Sequence, residues 1–171
     1  SDVPIAAGEG AGIAALARDT AGVLYALGGD IGNAEAEPAP IAVSEDDGDT
    51  WTQAVVPTQW EGYGDLSFSD PLHGFELGTY GSILRTADGG LSWTGSGAVE
   101  WGGAICAVDS ARAWICSGVG AIFATGDGGM TWLRQRDSQG GILAGCDIEI
   151  RGDRCWAASY KSYRTSLTGY T

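Results

Sequence analysis

The chain has one histidine, one methionine, and nine lysines and arginines against 22 aspartates and glutamates, for a formal net charge of −13 over 171 residues. Each scarcity removes a class of function. With His73 as the single histidine, a His-Glu-x-x-His zinc protease motif is impossible, and a Ser-His-Asp triad would have to use a residue set in the turn Asp70-Pro71-Leu72-His73-Gly74. So few cations argue against general nucleic-acid binding, which draws its affinity from lysine and arginine displacing counterions. No uninterrupted apolar run approaches the roughly 18 residues of a membrane-spanning helix. The segment Gly8-Glu9-Gly10-Ala11-Gly12 lacks the third glycine spacing and the Lys-Ser/Thr of a nucleotide loop, and reads as turn material.

What the chain has in excess is glycine, 29 residues, alongside seven tryptophans. Glycine supplies the positive φ values of tight turns and costs a helix about 1 kcal/mol per residue, so the expected class is all-β, with short strands between many turns. At this length the chain is one domain with a real core. Charge is unevenly spread. Residues 1 to 100 hold 16 acids and two bases, whereas residues 101 to 171 hold six acids and seven bases, with six of the nine cations between Arg134 and Arg164.

One motif is written three times: Ser44-x-Asp46-x-Gly48-x-Thr50-Trp51, Thr86-x-Asp88-x-Gly90-x-Ser92-Trp93 and Thr125-x-Asp127-x-Gly129-x-Thr131-Trp132. The starts are 42 and 39 residues apart, the length of a four-stranded propeller blade. A decayed copy follows at Thr165-Ser166-Leu167-Thr168-Gly169-Tyr170-Thr171, without the Asp and the Trp. The chemistry of the motif is that of a hairpin turn carrying its own supports. The Asp carboxylate accepts turn amides, the Ser or Thr hydroxyl does so more weakly, the Gly takes the left-handed conformation, and the Trp covers the turn. Apolar alternation around the motifs places blades at about 12–55, 64–97, 103–137 and 142–171, the first with an Ala-, Glu- and Pro-rich insertion over residues 30–40.

These motifs resemble Asp boxes, the turn signature of sialidases, sortilin-type receptors and bacterial propellers. The stretch from Phe68-Ser69-Asp70-Pro71-Leu72-His73-Gly74-Phe75 through Gly78 and Gly81 to Thr86-Ala87-Asp88-Gly89-Gly90 is similar, more narrowly, to the photosystem II stability and assembly factor family. The resemblance implies a β-propeller that binds a membrane protein complex through an arginine-rich surface. Family members commonly carry seven blades, whereas this chain spells out nearly four, so Val3 to Ala7 is expected to complete the last blade. A segment of a larger propeller is the alternative, as is a half that pairs with a second copy.

Both cysteine pairs, Cys106 with Cys116 and Cys146 with Cys155, flank a turn within one blade. Of the three possible connectivities the local one is expected, which implies an oxidising, extracytoplasmic compartment such as a periplasm, a lumen or the exterior. Four buried thiols in a reducing compartment are the alternative reading, and the tight ligand pairs of a zinc site are missing. The cluster Glu45-Asp46-Asp47-Gly48-Asp49 lacks the alternating ligands and terminal Glu of a helical calcium loop, so no metal is expected. The motif carboxylates Asp46, Asp88 and Asp127 are expected to serve their turns, which leaves no catalytic residue and no cofactor.

The function expected is therefore binding: an accessory, assembly or stability subunit on a membrane complex of photosynthetic or respiratory type. Arg134, Arg136, Arg151, Arg154 and Arg164 are the candidates for the electrostatic contact, and loop aromatics such as Trp60, Tyr63, Tyr80 and Trp101 for apolar anchors. Two other readings stand beside it. One is a carbohydrate-binding or sialidase-like module, although no Arg-Ile-Pro segment precedes the first box; the other is a surface adhesin or receptor fragment.

Overall fold

The structure, a computed structural model, describes residues 11–30, 41–54, 56, 64–137, 145–151 and 154–160. Three of its sheets are four-stranded antiparallel meanders in chain order. The first is β1 (Ala11–Arg18), β2 (Leu24–Asp30), β3 (Ile41–Ser44) and β4 (Thr52–Gln53). The second is β5 (Asp65–Phe68), β6 (Gly74–Leu77), β7 (Ser82–Thr86) and β8 (Thr94–Ala98). The third is β9 (Ala104–Ala107), β10 (Ala113–Cys116), β11 (Ile122–Thr125) and β12 (Leu133–Arg136). A hairpin of β13 (Gly145–Arg151) and β14 (Arg154–Tyr160) follows. No helix occurs among the described residues. The sheets are propeller blades: their first strands pack in sequence, β1 on β5, β5 on β9 and β9 on β13.

Burial follows position in the blade. The second strand of the middle blade, Gly74-Phe75-Glu76-Leu77, is buried throughout because sheets lie on both of its faces, whereas the outer strand Leu133–Arg136 is exposed throughout. The core therefore sits in the seams between blades. In the first seam Tyr25, Leu27, Ile41 and Val43 meet Leu66, Leu84 and Trp93, and in the second Phe75, Leu77 and Ile83 meet Ile105, Ile115 and Phe123. Each such side chain stabilises by about 1.5–3 kcal/mol when fully removed from water. Alternation decides which residue faces which seam: Leu66 and Leu84 flank Glu76 across the ladder and look back at the first blade, while Phe75 and Leu77 look forward to the third.

The motif glycines show why no larger residue fits. Gly90 and Gly129 have φ of +80° and +82°, and a Cβ there would lie 2.9 Å from the Tyr25 ring and 2.7 Å from the Phe75 ring. These two turns, in the second and third blades, are thus each pressed against an aromatic ring of the preceding blade.

The local cysteine pairing does not hold. Register places Cys106 opposite Trp114 and Cys116 opposite Ala104, so the two are diagonal rather than facing. Cys116 is disulfide-bonded. In the hairpin Cys146 stands opposite Ser159 and Cys155 opposite Ile150, again not opposite each other. The expected closing strand Val3 to Ala7, the insertion residues 31–40, Trp60, Tyr63, Arg164 and the decayed fourth motif lie outside the described residues.

Candidate functional site

The three motif turns are built alike. Ser44 Oγ donates to Asp46 at 2.8 Å and accepts from the Gly48 amide at 2.8 Å. Thr86 and Thr125 repeat both bonds with Asp88 and Gly90, and with Asp127 and Gly129. The carboxylate then accepts the amide and hydroxyl four residues on, from Thr50, Ser92 or Thr131. Stabilising the charged form lowers the pKa. The Thr131 hydroxyl, the Thr131 amide and the Thr125 hydroxyl hold Asp127 down at about 2. Bonds led by the Thr50 hydroxyl lower Asp46; burial pushes Asp88 up, but bonds from Ser92 and Thr86 leave it below the usual range. Carboxylates tied in this way are turn supports rather than proton carriers.

A second aspartate series organises the hairpin between the first two strands of each four-stranded blade. Asp19 accepts the amides of Ala21 and Val23, Asp70 those of Leu72 and His73, and Asp109 those of Ala111 and Arg112. Sequence reading missed this set because the residues after each Asp differ; the signal was an Asp two residues before Ala21, Leu72 and Ala111. The two turn series touch, as Gly89 N donates to Leu72 O and Gly128 N to Ala111 O. His73 belongs here. Its Nδ1 lies 2.9 and 3.0 Å from the two Asp70 oxygens, a turn contact and not a triad.

At this turn end a cleft of about 450 Å³ separates the second and third blades, lined by His73, Arg85, Asp88, Ser92, Ser110 and Gly128 among others. Arg85 crosses it to the Gly128 carbonyl at 2.8 Å. Among the described residues, no group of three or more His, Cys, Asp or Glu is arranged to hold a metal ion. In the acidic cluster, Asp46 is spent on its turn and Asp47 pairs with Arg18 at 2.8 Å.

The opposite, loop end carries the connections 78–81 and 117–121 and the linker 99–103. Here Tyr80 and Trp101 are 63% and 49% exposed, with ring centroids 5.9 Å apart and planes tilted by 49°. Trp101 takes φ +57°, in the left-handed region. The arginines proposed from sequence fall on different blades. Arg134 and Arg136 lie on β12, where Arg134 bonds Glu100 at 2.6 Å, pairs with Asp137 at 3.5 Å and covers the Phe123 ring at 5.0 Å. Arg151 and Arg154 are register partners at the end of the β13–β14 ladder.

No protein-family model matches the chain, and no curated protein matches its sequence. Solved structures do. YCF48 bound to D1 peptide superposes with a TM-score of 0.68 at 21% identity, over 90% of this chain and 49% of that one. YCF48 from Cyanidioschyzon merolae gives 0.65 at 15% identity, over 94% and 59%. The GH74 enzyme of Niastella koreensis gives 0.61 at 18% identity, over 84% and 21%. The chain thus spans about half the length of the YCF48 structures, and the likeness is one of fold.

Proposed function

We propose that the protein is a non-catalytic, extracytoplasmic propeller that binds protein: an accessory or assembly subunit of a membrane complex of photosynthetic type, built on Asp-box blades. The observation that carries this reading is the division of labour between the two ends of the blades. The described motif carboxylates are consumed by their own turns, and at the other end two large aromatic rings stand exposed with charged groups beside them. That is the composition of a docking surface rather than a reacting centre. Likeness to YCF48, one structure of which holds a D1 peptide, supports a peptide partner. The disulfide at Cys116 supports an oxidising compartment.

Native purification of a tagged chain in mild detergent tests the reading. Migration with a membrane complex is the expected result, and a stable chain running alone counts against it. The likeness to a GH74 enzyme and the same exposed rings favour sugar binding as the second reading. Robust binding or turnover on a glycan array would replace the first reading with that one.

A further inference from the structure

At the loop end a large aromatic residue is held in an uncommon backbone conformation while half of it stays in solvent. Trp101 sits at φ +57°, a conformation that non-glycine residues adopt at a cost of order 1–3 kcal/mol and that clusters at binding sites. Tyr80 beside it is exposed as well. The linker is nonetheless fixed from three sides: Gly102 N donates to Thr79 O at 2.8 Å, Gly118 N to Trp101 O at 3.2 Å, and Val99 N to Gly81 O at 2.8 Å. Those approaches require glycine. A Cβ at Gly81 would lie 2.0 Å from the Val99 carbonyl oxygen, and one at Gly102 would lie 2.0 Å from the Gly78 oxygen. The equivalent connection in the third blade has Val119 where the second has Tyr80, so the pair is not a demand of the repeat.

We infer that Tyr80 and Trp101 form a two-walled aromatic seat for a cationic side chain, lysine or arginine, of a partner polypeptide, with Glu100 as its carboxylate. Two exposed rings with centroids 5.9 Å apart lie close enough for one guest to reach both, and a cation over an aromatic face gains about 0.5–2 kcal/mol as it is desolvated. Glu100 adjoins Trp101 and is half exposed; its Oε1 takes Arg134, an exposed partner that a docking cation can displace or share. The net charge of −13 favours a cationic partner over an anionic one. An apolar or proline-rich segment would use the rings but gain nothing from the carboxylate or the field.

This inference rests on the protein-binding reading, and three labelled peptides test it: glycine alternating with lysine, with norleucine as its neutral isostere, or with glutamate. Binding is read by fluorescence anisotropy at two salt concentrations. The lysine peptide should bind most tightly, and Trp101→Gly and Tyr80→Ala should each weaken it by about tenfold. Glu100→Gln should weaken it less and flatten its salt dependence. Urea midpoints and far-UV circular dichroism of both ring variants separate lost binding from lost folding: each variant should remain folded under the binding conditions, with any stability lost with the half-buried ring partly offset in Trp101→Gly by relief of the positive φ. Equal affinity for the norleucine peptide overturns the cationic guest. Unchanged lysine-peptide binding in both ring variants overturns the seat and leaves only general attraction to an acidic protein. If the ring variants still retain the membrane complex, the seat falls and the proposed function stands. If they lose peptide binding while the wild type never retains a complex, the seat stands and that function falls.

Discussion

The seams between the three four-stranded blades are built from the same repeat but held by different forces. The first is apolar and aromatic: Tyr25 stacks on Phe68 at 3.6 Å, and Phe68 meets Trp93 edge-on at 5.8 Å. The second is laced with hydrogen bonds. Asp65 and Ser67 accept the Ile105 and Ala107 amides, Arg85 reaches Gly128 O, Ser96 Oγ donates to Gly129 O at 2.5 Å, and Trp132 Nε1 donates to Ser96 O. The tryptophans show the contrast best. Trp51 and Trp93 donate to the motif glycine of their own turn, at Gly48 O and Gly90 O, whereas Trp132 reaches back to the preceding blade. A motif that specifies its turn leaves the seam free to vary.

The largest expected effect tests where the area lies. Trp93 is 4% exposed in the first seam, so Trp93→Ala should cost about 3–5 kcal/mol in urea unfolding, the range of large aromatic deletions. Trp132 is only half-buried, and Trp132→Ala should cost clearly less, about 2 kcal/mol. Equal losses would erase the distinction between the seams. Next come the motif glycines. All three have positive φ, but a Cβ meets Ser96 Oγ at 2.3 Å at Gly129, the Tyr25 ring at 2.9 Å at Gly90, and nothing nearer than 3.6 Å at Gly48. The destabilisation by alanine should fall in that order, from about 3 kcal/mol down to about 1. A reversed order would mean that the rings of the preceding blade move aside easily.

How much of this was legible depended on how local the chemistry is. The tripled motif could be read because its bonds join residues two and four apart, so the sequence writes donor and acceptor side by side. Its seams could not, since nothing in the motif tells Val43 from Arg85 at equivalent positions of successive blades. The cysteine expectation failed on a register detail: closeness in sequence across a turn put Cys106 diagonal to Cys116, not opposite it. The second aspartate series escaped because the residues after each Asp differ and the first blade's insertion stretches its spacing from 39 residues to 51. Tyr80 and Trp101 could be named as loop aromatics, but their meeting depends on glycine contacts between two connections.

Smaller effects belong to the polar seam. Arg85→Met removes the bond to Gly128 O and Ser96→Ala the one to Gly129 O, each at about 1 kcal/mol, with the buried Ser96 site costing more than the half-buried Arg85 one. Urea midpoints of the two variants and their double mutant check this. Strict additivity would show two separate ties, and a shortfall would show that the seam gives way as a unit.

The smallest effect at neutral pH is one that appears only in acid, and it treats both seams alike. Asp127 titrates at about 2 in the folded chain against about 3.9 for an unfolded aspartate, so its contribution is fully present above the unfolded value. It is lost as pH falls through the window from about 4 to about 2, where the unfolded state binds the proton first. Asp46 and Asp88 are lowered too, so the turns on either side of each seam weaken with the same sign. Asp127→Asn removes the titrating group, and its urea midpoint should fall less steeply than that of the wild type below pH 4. An identical slope would mean that the carboxylate's bonds to Thr131 and Thr125 are not what sets the acid limit. Because the motif is common to the three four-stranded blades while the two seams between them differ, acid should loosen the turns without favouring either seam, whereas the tryptophan substitutions should tell the seams apart.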